Sequence, residues 1–207
     1  MDRPTAFLVD PPETPAVTTV YEADVTSDGY VNNLTRVWCW RPDVLASFQA
    51  LRADLLSGSD LSPRDVAVMV AATAAARGDA YCALAWGTRL AELSDEATAA
   101  KVLRGVDGGL SERDAALAGW SRQVVQNPNT TTEAHVNRLR DLGLSDRAIF
   151  EVTAWIAFRL AFSTINDALG ARPDPQLAER APRLVREAVT YGRRIGTDAQ
   201  GDKILPG

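Results

Sequence analysis

Arg77-Gly78-Asp79-Ala80-Tyr81-Cys82-Ala83-Leu84-Ala85-Trp86-Gly87-Thr88-Arg89 is the stretch on which the reading of this chain turns. A long apolar run ends at Gly78, and Asp79 is a good N-cap for a new helix. Cys82 then falls at the third helical position, where unpaired backbone N–H groups and the helix dipole favour a thiolate. Ala85, Trp86 and Arg89 follow at spacings of three, four and seven, so they share the cysteine's stripe. The stretch offers a nucleophile, an aromatic neighbour and a cation in one row. The Asp79 carboxylate works the other way, since a neighbouring negative charge disfavours the thiolate.

Outward from that stretch the chain reads as helices. The segment from Ser62 to Ala76 is Ala- and Val-rich, apolar nearly all round, and so reads as buried. Leu-Ser-x-Arg recurs at Leu61, Leu110 and Leu144. Ser62 with Asp65, and Ser111 with Asp114, have capping-box spacing, with each Leu as a staple. The recurrence is either common capping chemistry or an internal duplication, in which the helix from Ser62 corresponds to the one from Ser145. Further helices are expected from Asn32 or Asn33, from Pro42 through Leu56, and from Ser94-Asp95-Glu96 through Leu103. Others run from Ser111 to about Gln126, from Thr132 through Leu142, from Ser145 to Leu169, and from about Pro182 to Tyr191. Convincing strand patterns are absent, so the fold class is all-α. The organisation is an extended, proline-rich arm over 1–31, a helical domain over 32–170, and a C-terminal helix and tail over 171–207. Gly201 to Gly207 reads as a frayed tail.

Composition narrows the function classes. The chain has 207 residues, 46% hydrophobic and 24% charged, ordinary values for a globular protein. A formal charge of −5 argues against nucleic acid as the main partner. Two distant cysteines make no disulfide framework, which points to a reducing cytoplasm. The start Met1-Asp2-Arg3-Pro4 lacks the features of a signal peptide. Glu151 and Arg159 interrupt the longest apolar run, so no membrane span is expected. No metal site and no cofactor are anticipated.

Several motifs then fall in a familiar order. Gly29-Tyr30-Val31-Asn32-Asn33-Leu34, Arg41-Pro42-Asp43-Val44-Leu45, Leu61-Ser62-Pro63-Arg64-Asp65 and Tyr81-Cys82 resemble the peroxidase-related branch of the alkylhydroperoxidase-D-like, or carboxymuconolactone decarboxylase, superfamily. The resemblance spans about Gly29 to Gly170. It implies a helical bundle and a homo-oligomer, dimer to hexamer, acting on a small molecule. The family's peroxidases carry Cys-x-x-Cys-x-x-x-His; here Ala85 replaces the second cysteine and Arg89 the histidine. Other members place histidine three or four residues after the cysteine, at Ala85 or Trp86 here. The proton-relaying glutamate twelve residues before the cysteine is Val70. Where members carry Asn-Arg, this chain has Ser163-Thr164.

The candidate site is therefore Cys82 with Tyr81 and Arg89. Trp86, Ala85, Glu151 and Arg159 are candidate pocket residues, and Cys39, between Trp38 and Trp40, is a candidate resolving thiol. Each has a plainer reading as core or solvated surface; His135, the only histidine, reads as surface. Glu151 and Arg159 form either a structural ion network or a polar pocket under the cysteine helix, with an acid and an anion anchor. Three functions stay open. One is thiol-dependent peroxide reduction through a cysteine of lowered pKa. Another is a non-redox lyase or isomerase on a carboxylated or carbonyl metabolite. The last is a scaffold that kept only the fold.

Overall fold

The computed structural model describes residues 5–195. Thr14 caps α1 (Pro15–Asp28), its hydroxyl accepting from the Val17 N–H at 3.3 Å. This corrects the extended arm expected over 1–31. All four prolines of the arm lie at or before Pro15, and a proline at the first helical position starts a helix rather than breaking it. Of the arm's apolar residues, Ala6 and Val17 are buried while Phe7, Leu8 and Val9 stay exposed.

Then follow α2 (Asn33–Trp38), α3 (Pro42–Leu56), α4 (Pro63–Arg77), α5 (Ala80–Leu93), α6 (Glu96–Arg104) and α7 (Glu112–Gln126). After a 3-10 turn at Pro128–Thr130 come α8 (Glu133–Asp141) and the long α9 (Asp146–Ala168). Two short helices, α10 (Pro175–Arg180) and α11 (Arg183–Ala188), replace the single one expected over 182–191. Pro182 interrupts them: it has no N–H to continue α10 and serves as the N-cap of α11. Among the described residues there is no β-strand. The expected tail from Gly201 to Gly207 lies outside them.

Helix α4 is the axis of the bundle, packed by α5, α6, α7 and α9. Ala67 through Ala72 are buried on every side. Alanine and valine at all of these positions but Met69 let four helices approach one helix closely. Helix α9 has the length and apolar composition to cross a membrane, contrary to the expectation from its two charges. Half of its most apolar stretch is buried, and α9 packs on α3, α4, α7 and α8.

The starts of α4 and α7 are clasped crosswise. Arg64 Nη2 lies 2.7 Å from Asp114 Oδ2, and Arg113 holds Asp65 through two bonds of 2.8 and 2.9 Å. Each aspartate also belongs to its own helix start. Asp65 accepts from the Ser62 N–H, and the Asp114 N–H donates to the Ser111 hydroxyl. Two copies of Leu-Ser-x-Arg-Asp thus cap their own helices and pair with each other. The third Leu-Ser-x-Arg, at Leu144, has Ala148 in place of the aspartate and caps α9 through Ser145 alone.

Candidate active site

Helix α4 ends at Gly78, whose φ of 75° is the left-handed conformation that glycine adopts without strain. The reversal brings Asp79 to the N-cap of α5, as the sequence predicts. Its Oδ1 accepts from the Cys82 backbone N–H at 2.9 Å. Its Oδ2 accepts from the Ser163 hydroxyl of α9 at 2.5 Å. Asp79 and Cys82 are both buried, at 0% and 3% exposure.

The cation on Cys82 is Arg159. Its Nη2 donates to Cys82 Sγ at 2.6 Å, and the guanidinium lies over the Phe162 ring, 4.8 Å from its centroid. Arg89, expected in this role, is exposed and paired with Glu92 on its own helix. Spacing on the cysteine's stripe does not bring its long side chain inward, because water and Glu92 solvate the charge more cheaply. Arg159 instead reaches from α9, 77 residues away in sequence.

The thiol's environment reverses the expected direction of its pKa. Burial pushes the Cys82 thiol above the ordinary range; Arg159 pulls it back, while Asp79 adds to the rise by charge and by accepting the thiol's hydrogen bond. The helix start and one guanidinium do not outweigh desolvation. The resting group is a neutral thiol with a carboxylate on one side and a cation on the other.

A second arginine joins from α3. Arg52 lies over the Trp155 ring at 5.2 Å. Burial, then the like charge of Arg159, lower its pKa to about 10, against a smaller opposing effect of Cys82. Beyond Phe162 runs an aromatic wall. Trp38 stacks on Phe162 at 4.9 Å and Phe48 on the same ring at 5.6 Å, with Phe158 edge-on to Phe48 at 6.4 Å. Trp38 Nε1 donates to Asn166 Oδ1 at 2.8 Å, fixing the wall to α9.

The remaining candidates lie elsewhere. The Tyr81 hydroxyl donates to Asp174, which also accepts from the Asn33 N–H at 3.1 Å. Burial and Asp174 push the phenol's pKa upward, so its proton stays on that structural bond. Glu151 pairs with Arg147 at 2.7 Å and accepts from the Ser59 hydroxyl at 2.5 Å. It is thus part of a structural network, not the acid of a pocket shared with Arg159. Trp86 and Ala85 are half-buried on α5, Trp86 against the main core. Cys39 lies near Tyr21 and Asp24, its thiol pushed up to about 11 by burial and Asp24. Both cysteines are free. His135 is exposed, its Nδ1 accepting from the Thr132 N–H at 3.1 Å. Among the described residues no group of three His, Cys, Asp or Glu side chains could hold a metal ion.

Sequence reasoning missed Arg52, Ser163 and the roles of Phe162 and Trp38. The row Arg159, Ser163, Asn166, polar at spacings of four and seven in an apolar helix, is a signal for an inward polar stripe. Nothing in the sequence separates Arg52 from an arginine on a solvated helix.

No protein-family model matches the chain, and no curated protein matches it. Solved structures do. An uncharacterised peroxidase-related protein from Ralstonia eutropha JMP134, described as an alkylhydroperoxidase AhpD core, superposes with a TM-score of 0.74 at 23% identity, covering 84% of this chain and 95% of that one. A peroxidase-related protein from Silicibacter sp. TM1040 gives 0.71 at 20% identity, covering 81% and 91%. The debrominase Bmp8, solved as a cysteine-to-alanine variant with 2,3,4-tribromopyrrole, gives 0.67 at 16% identity, covering 84% and 95%. These likenesses give the chain the alkylhydroperoxidase-D-like fold, the one its sequence motifs resemble.

Proposed function

We propose that this protein is a thiol-dependent reductase working through the single cysteine Cys82, with hydroperoxides as the substrate class. The observation that carries the reading is the buried contact of Arg159 Nη2 with Cys82 Sγ at the start of α5. In the first step the thiol proton passes to the Asp79 carboxylate, and Arg159 holds the resulting thiolate. The sulfur attacks the outer oxygen of R–O–OH, the O–O bond breaks, and the alkoxide leaves as ROH after taking up a proton. Cys82 is then a sulfenic acid. With alanine at 85 and Cys39 against α1, an external low-molecular-weight thiol completes the cycle. Two such thiols become a disulfide, and Cys82–SOH returns to the thiol with release of water.

A bromoaromatic is the second substrate reading, favoured by the aromatic wall beside Arg159 and by the debrominase among the structural neighbours. The sulfur would take the bromine, the ring carbon would take a proton, and two external thiols would release bromide and restore Cys82. The lyase reading loses support, because the side chains that could move its proton, Tyr81 and Glu151, are bound to Asp174 and to Arg147 with Ser59. Self-association remains part of the proposal, supported by the exposed apolar Phe150 and Ile165 on α9 and Leu51 on α3.

The test is consumption of cumene hydroperoxide with excess dithiothreitol, beside tribromopyrrole debromination under the same conditions. We expect turnover that rises with pH, abolished in Cys82→Ala, with a dimedone adduct on Cys82. Wild-type and Cys82→Ala protein consuming peroxide equally would end the reading. Light scattering reporting a monomer at micromolar concentration would end the self-association.

A further inference from the structure

Helices α3 and α9 bring together more buried hydrogen-bond donors than acceptors. Arg159 Nε, Arg52 Nε and Trp155 Nε1 are buried and have no hydrogen-bond partner. Such groups are rarely left unmade, because each forfeits its bonds to water. Arg159 itself is 3% exposed. No carboxylate of the described residues pairs with either guanidinium. Glu151 is taken by Arg147 and Ser59, and Asp79 by the Cys82 N–H and Ser163. The two arginines repel each other, and Cys82 offsets this only in small part.

The shape of what would fit follows from the donors. The Phe162 ring lies against the Arg159 guanidinium, 4.8 Å from Cζ to the ring centroid, and the Trp155 ring against that of Arg52 at 5.2 Å. A guanidinium is planar and its N–H groups donate in that plane, so an acceptor is met at the edges, through the Nε–H groups. That geometry suits the two coplanar oxygens of a carboxylate.

We propose that Arg52 and Arg159 form a carboxylate-binding subsite beside Cys82, so that the substrate carries a carboxylate near its reacting atom. The inference rests on the reading of Cys82 as the reacting group for its meaning, though not for its test. Arg159 then has two duties on two edges: Nη2 to the sulfur and Nε to the substrate. Arg52, half-buried on α3, is the most exposed member and the first to meet an incoming anion.

Binding is measured by calorimetry in the Cys82→Ala background, so thiol chemistry plays no part. Benzoate, benzamide and inorganic phosphate are the probes. We expect benzoate to bind one per chain, benzamide to fail, and Arg52→Gln to weaken benzoate at least about tenfold, the loss of one charged hydrogen bond. Arg52→Lys, which keeps the charge without the fork, should recover part of it. Absence of benzoate binding, equal binding of benzamide, preference for phosphate, or indifference to Arg52→Gln would each overturn the subsite. Iodoacetamide labelling of wild-type Cys82 reports separately on the thiol. Benzoate binding with an inert thiol would keep the subsite and remove the reductase.

Discussion

Two arginine clusters in this molecule use the same side chain to opposite ends. At the starts of α4 and α7, Arg64 and Arg113 meet Asp114 and Asp65 one for one; Asp65 also accepts from the Ser62 N–H, and the Asp114 N–H donates to the capping Ser111. At the start of α5, Arg159 and Arg52 meet a thiol and two rings, and donors are left over. The first cluster is complete without any ligand. The second has spare bonding capacity next to a buried thiol, at the fold's expense. Matched charge fixes structure; unmatched buried charge marks the place where something else is to be bound.

The comparison breaks most readily at Asp65. Asp65→Ala removes a helix cap and leaves Arg113 with only the Leu142 carbonyl, so about 3 kcal/mol of stability should be lost in urea unfolding. A loss below about 1 kcal/mol would mean that the clasp is ornamental surface charge. Arg159→Met should do the reverse. Stability should hold or rise, because a poorly matched buried charge is gone. Cys82 should alkylate about tenfold more slowly at pH 8, because the cation that favours its thiolate is gone. Unchanged alkylation would detach Arg159 from the thiol.

Asp174 sharpens the contrast, as a buried carboxylate that burial raises to about 6 despite the Tyr81 and Asn33 hydrogen bonds. A raised carboxylate favours folding below its unfolded value, and that contribution is lost as pH climbs through about 6. Asp65 runs oppositely. Its pKa is lowered, chiefly by Arg113 against burial, so its contribution is present above the unfolded value and lost on acidification. The melting temperature of Asp174→Asn, compared with wild type, should therefore gain steadily as pH rises from about 4 to about 6.5. A flat difference would show that Asp174 does not titrate there. The smallest effect belongs to Arg89→Ala. An exposed pair with Glu92 contributes under about 0.5 kcal/mol, and Cys82 labelling should not change.

The helices were legible because their ends are written locally. Asp79, Ser62, Ser111 and Ser145 all cap where the sequence puts caps, and the central bundle follows from them. The arm was misread because Pro15 was counted with the prolines that precede it, rather than as the first residue of a capped helix. At the site, Cys82 and Asp79 were readable because they share one turn. Arg159 was visible as a charge needing a partner, but its partner lies 77 residues away, and helical spacing carries no information across that distance. Arg89 was favoured for the opposite reason: proximity in sequence is easy to see, while the direction of a flexible side chain is decided by solvation.

The C-terminal segment reaches back to the turn before Cys82. A side-chain carbon at Gly192, with φ 74°, would stand 2.5 Å from the Gly78 carbonyl oxygen and 2.8 Å from the Ala80 nitrogen. The turn that aims the thiol is thus closed by a residue made more than a hundred positions later, and Arg159 and Ser163 also arrive late. During synthesis, α4 through α7 can pair while Cys82 still lacks α9 and this closing segment. Until that segment and α9 dock, Cys82 lacks the Arg159 and Ser163 partners that define its surroundings in the finished fold. The site is thus assembled by the last part of the chain, not by the helix that carries the sulfur.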